Sequence, residues 1–70
     1  MTQNKKEQRA IKRDMDLAVS EISSIQDRLE EAYAYFNRTT DPDATEACVY
    51  EINALRSRYN TALKHYRERF

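Results

Sequence analysis

Glycine is absent from this chain of 70 residues. With it go the phosphate-cradling loops of the Walker and Rossmann kinds, whose backbone must pass where a Cβ cannot. A single cysteine excludes an intramolecular disulfide. Cys48 and the lone histidine, His65, stand 17 residues apart with no further Cys or His to complete a metal site. Neither half carries the Glu-x-x-His pair of di-iron helical bundles. Acidic neighbours such as Glu30 and Glu31 point in different directions on a helix, which suits a solvated face better than a general acid/base pair. No apolar run is long enough to span a membrane. Met1 to Arg13 is too charged for a secretory leader, so a cytoplasmic location is expected. No catalytic residue, cofactor or metal is expected. Proline is nearly absent as well: Pro42 is the only one. Nothing on either side of it would interrupt a helix.

What the chain does have is a repeat. Apolar residues run Ile11, Met15, Ala18, Ile22, Ile25, Leu29, Ala32 and Phe36 in the first half, and Cys48, Ile52, Leu55, Tyr59, Ala62 and Tyr66 in the second, with steps alternating between 4 and 3. This 3.5-residue period belongs to helices that share a narrow seam. The two series are also reflections of each other about residue 40. Leu29 with Ile52, Ile22 with Tyr59, Met15 with Tyr66 and Ile11 with Phe70 each sum to 81, while Ile25 with Leu55 and Ala18 with Ala62 sum to 80. Two helices folded back at that point meet layer against layer. The predicted fold is one all-α domain over residues 1–70, an antiparallel, coiled-coil-like two-helix hairpin. Helix 1 is expected over about 5–37, a turn over 38–41 and helix 2 over about 42–68. At the junction Asp41 is the expected N-cap, with Pro42 at N1, and Asp43 and Glu46 placing negative charge at the positive end of the helix dipole. With no glycine available, Asn37 is the expected left-handed exit from helix 1.

With the seam written as positions a and d, the two flanks differ. The g flank carries Asp14, Glu21 and Arg28 on helix 1 and Glu51, Arg58 and His65 on helix 2. The reflection pairs Asp14 with His65, Glu21 with Arg58 and Arg28 with Glu51, each summing to 79. The e flank carries Val19 and Tyr33, then Val49, Leu63 and Phe70. In an ordinary amphipathic helix such residues only widen the core. A 70-residue hairpin without disulfide or metal has little core, however, and oligomerisation is a common remedy. Val19, Tyr33, Val49, Leu63 and Phe70 are therefore expected to form an interface, either of a homodimer, giving a four-helix bundle, or with another protein.

Net charge is zero but unevenly spread. Residues 1–13 and 56–70 together hold ten cations against Glu7 and Glu68, about +8, and the stretch between them holds ten acids against Arg28 and Arg38, about −8. The open end of the hairpin is basic. Lys64, Arg67 and Arg69 suit the C-terminal end of a helix dipole, whereas Lys5, Lys6, Arg9 and Arg13 lie at the wrong end for it. These seven residues make a candidate anion site, for nucleic acid or an acidic protein. Tyr66 and Phe70 nearby serve better as core than as base-stacking platforms. On the seam, Cys48 reads as a small buried thiol, and His65 as a flank residue opposite Asp14.

The stretches Phe36-Asn37, Thr40-Asp41-Pro42-Asp43, Val49-Tyr50-Glu51-Ile52-Asn53-Ala54, Arg58-Tyr59 and Leu63-Lys64 resemble the YaaL-like family. These are small uncharacterised proteins of Firmicutes, classed as a domain of unknown function. The resemblance covers roughly residues 29–66 and departs at Arg67-Glu68-Arg69-Phe70. It implies a small bacterial cytoplasmic protein and brings no catalytic residues. A second likeness is to the two-helix phosphatases that act on sporulation response regulators. Their Ser-Gln-Glu-Leu-Asp signature falls on Val49-Tyr50-Glu51-Ile52-Asn53, where an amide replaces the final carboxylate and cannot carry its charge. The expected function is a non-enzymatic interaction or adaptor module, with Tyr35 and Tyr50 as further exposed contacts. The alternatives are a nucleic-acid accessory protein using the basic end and a regulator resembling those phosphatases.

Overall fold

The computed structural model describes residues 5–70, and these form two helices, α1 (Lys5–Arg38) and α2 (Pro42–Arg69), packed against each other. The hairpin is a rod with extents of 62 × 17 × 11 Å.

The turn is made by Asp41 and Pro42 acting together. A residue before proline is driven out of the α region, and Asp41 accordingly sits at φ −81° and ψ 120°. Its carboxylate accepts from the Asp43 N–H at 3.2 Å, while its carbonyl accepts from the Thr45 N–H and hydroxyl, each at 2.9 Å. On the other side, the Thr39 N–H donates to the Tyr35 carbonyl at 3.0 Å, and the Thr39 hydroxyl accepts from the Asp41 N–H at 3.3 Å. The left-handed exit expected at Asn37 is not used. No described residue has positive φ, because the extended Asp41 already turns the chain. Asp41→Ala should lower stability by about 0.5–2 kcal/mol, whereas Asp41→Asn, an equally good cap, should not. Urea midpoints of the two variants test this.

The seam is driest from the Ala32–Cys48 layer to the Ile25–Leu55 layer and wetter beyond it toward the open end. Ala32 and Cys48 form one buried layer, and Ile25 and Leu55 the next, with Ile52 between them and Leu29 half-buried. Leu55 is the most enclosed residue, 2% exposed. The Cys48 thiol is buried and donates across the interface to the Ala32 carbonyl at 3.1 Å. Ile22, Tyr59, Ala18, Ala62, Met15 and Tyr66 follow as half-buried layers.

Two seam positions depart from expectation. Phe36 is 37% exposed because its reflection partner is Thr45, in the first turn of α2, which offers no apolar layer to meet it. Ile11 is 44% exposed and Phe70, its expected partner, 40%. By the rule that sums d positions to 80, Ile11 faces Arg69, whose guanidinium is turned aside onto Asp14. Phe70 stacks instead on Tyr66, with ring centroids 5.2 Å apart.

Candidate interaction surface

The two flanks of this rod are chemically unlike, and each is set by the heptad positions beside the seam. On the g flank the helices leave an open groove of about 820 Å³. It lies beside the thin Ala18–Ala62 layer and is lined further by Ser24, Ser57 and Thr61. Small side chains there cannot fill the space between the helices. Glu21, Arg28, Arg58 and His65 all border the groove. None of the three expected g pairs closes: Asp14 turns to Arg69, at 2.6 Å, and the pairs Glu21–Arg58 and Arg28–Glu51 form no ion pair. Long exposed side chains gain little by closing across water, so geometry at the helix end decides which pair forms. Arg69 remains largely solvent-exposed and Asp14 is half-buried, and the bridge ties α1 to the last turn of α2 rather than holding up the fold.

The e flank instead presents apolar side chains to water. Val19 is 50% exposed, Tyr33 43% and Val49 41%, with Leu63 half-buried beside them. Across the seam the e positions pair with a sum of 82, so Tyr33 lies opposite Val49 and Val19 opposite Leu63. The flank is therefore two apolar patches, separated by a polar layer of Gln26 and Arg56. Phe70 does not extend this surface in any simple way: it lies past the end of α2 and lines the g-side groove. Its ring is also covered by the Arg69 guanidinium, 5.4 Å from the centroid. Leu17, which fits no seam or flank pattern, is 64% exposed on the g side.

At the basic end Lys5, Lys6, Arg9, Arg13, Lys64 and Arg67 are all exposed. Arg69 is exposed too, but its charge is already engaged by Asp14. By the register of the seam, α2 ends opposite residue 11, so Lys5 to Arg9 project beyond it. Tyr50 is 68% exposed, and Tyr35 is 41% exposed beneath the Arg38 guanidinium, 5.3 Å from its ring centroid. Glu51 is exposed, and Ile52 beside it is buried in the seam.

Among the described residues, no three His, Cys, Asp or Glu side chains are grouped so as to hold a metal ion. No described helix is long and apolar enough to cross a membrane. The chain matches no protein-family model, no curated protein and no solved structure. What is established is the class, an all-α protein of two helices packed as a hairpin.

Proposed function

We propose that this protein is a non-enzymatic interaction module that self-associates through its e flank into a four-helix bundle. The observation that carries the reading is the exposure of Val19, Tyr33 and Val49 on one side of a hairpin that buries only five residues among those described. A core this small gains by covering more apolar surface, and a second copy offers the same surface in return. The opposite flank, bordered by charges and hydroxyls, is the face that stays in water. The likeness of residues 29–66 to the YaaL-like family would make this a small bacterial cytoplasmic protein and carries no role of its own, while the exposed Tyr35 and Tyr50 offer further contacts for a protein partner.

Sedimentation equilibrium tests the reading. The wild type should run near twice 8.3 kDa over a wide concentration range. Val19→Glu should run as a helical monomer, because it places a charge at the centre of a patch that is already half in water. A monomeric wild type would sink the proposal. So would a Val19→Glu chain that loses its helicity outright, since that would make Val19 part of the hairpin's own core.

A further inference from the structure

The two apolar patches of the e flank are evenly spaced about a polar layer. Val19 and Tyr33 each lie seven residues from Gln26, and Leu63 and Val49 each lie seven residues from Arg56. A two-fold axis through that layer therefore carries each patch onto the other. A second copy laid head to tail would set its Tyr33 on Val19 and its Val49 on Leu63. One turn further out on α2, Glu46 would meet Arg67, and Asn53 would meet Asn60.

A parallel arrangement, with both loops at one end, also matches apolar to apolar, so the patches alone do not choose between the two. Charge does. A parallel pair would stack two basic ends of about +8 on each other and two acidic bodies of about −8 on each other. The head-to-tail pair sets each basic end beside the other copy's acidic loop. In that register Lys12 falls level with Thr40 and Arg9 comes within about two residues of the level of the other copy's Asp41, with Lys5 and Lys6 reaching past the loop. This gives Arg9 an acidic neighbour that neither the α1 dipole nor any α2 residue supplies.

Resting on the self-association proposed above, we infer that the two copies pack antiparallel, loop over open end, centred on the Gln26–Arg56 layer. Like charge at Arg56 is the one mismatch. Its long, exposed side chain can extend to solvent or donate to a Gln26 amide beside it.

Inter-label distance measurement decides the orientation. Thr40 is exposed in the turn between the helices, so a nitroxide on Thr40→Cys reports the loop position without touching the seam. The native thiol is removed by Cys48→Ser, whose hydroxyl can keep donating to the Ala32 carbonyl, with Cys48→Ala as a second background and helicity checked in both. The antiparallel pair places the two labels about 42 Å apart, twice 14 residues at about 1.5 Å each. A parallel pair places them within about 20 Å, side by side on neighbouring helices. A short distance in a chain that sediments as a dimer would overturn the orientation and leave self-association standing. No inter-label distance in a chain that sediments as a monomer would overturn self-association itself.

Discussion

Leu55→Ala should bring the hairpin toward the edge of unfolding, the largest loss expected of any single truncation in the seam. Leu55 is the most enclosed side chain of the hairpin, in the layer it shares with Ile25 and beside Ile52. Truncating a buried leucine costs about 2–5 kcal/mol, since the lost transfer energy is compounded by the cavity left behind. A domain of this length has about 3.5–10 kcal/mol to lose, at roughly 0.05–0.15 kcal/mol per residue. The substitution therefore removes between a fifth of the stability and all of it. A two-layer hairpin has no third element to collapse into the space, which favours the upper part of that range. The control is Leu17→Ala, the same chemical change at a residue 64% exposed, which should alter stability by less than about 0.5 kcal/mol. Helical circular dichroism against urea concentration measures both. Equal midpoints for the two variants would mean that the seam does not hold the hairpin together.

The contrast between Leu55 and Leu17 also shows what could be read in the sequence. Layers with an apolar residue on each side of the reflection, Ala32 with Cys48 and Ile25 with Leu55, are buried where the repeat puts them. The turn was legible for a local reason: Asp41 and Pro42 need only their own backbone to cap a helix and break the one before it. The misses have physical causes of another kind. Phe36 fits the seam by period alone, but the Thr45 facing it offers no apolar layer. Ile11 and Phe70 satisfy the reflection sum, yet Arg69 occupies the d position that faces Ile11. Charge pairs on the g flank depend on how far apart the helices stand, and that depends on the volume of the Ala18–Ala62 layer. Spacing along one helix does not carry that information.

Function was less legible than fold for a related reason. Catalytic and metal sites need particular residue types at particular spacings, and a sequence can be searched for them. An association surface needs only apolar residues one position away from where the hairpin requires them. Val19, Tyr33 and Val49 meet that description, and their exposure is what separates them from core. The partner leaves no mark in the chain unless it is the chain itself. In that case the surface must complement itself, and both the spacing of the patches and the reversal of charge along the rod satisfy this condition.

Self-complementarity should also appear as a concentration-dependent melting temperature, the largest effect expected of the intact protein. If folding and pairing are coupled, a hundredfold rise in protein concentration stabilises the pair by about 2.7 kcal/mol through mass action, or about half that per chain. For a domain this small, each kcal/mol moves the midpoint by about 4–8 °C, so the melting temperature should climb by roughly 5–10 °C. Val19→Glu should abolish that climb and melt at one temperature throughout, at or below the wild-type value at the lowest concentration. Leu55→Ala, by contrast, should melt lower but keep the climb, because it weakens the hairpin and leaves the flank intact. The two variants thus separate what holds each rod together from what joins two rods. A wild-type midpoint that stays fixed from micromolar to millimolar protein would mean that the five buried residues suffice on their own. The e flank would then be open to a partner other than a second copy.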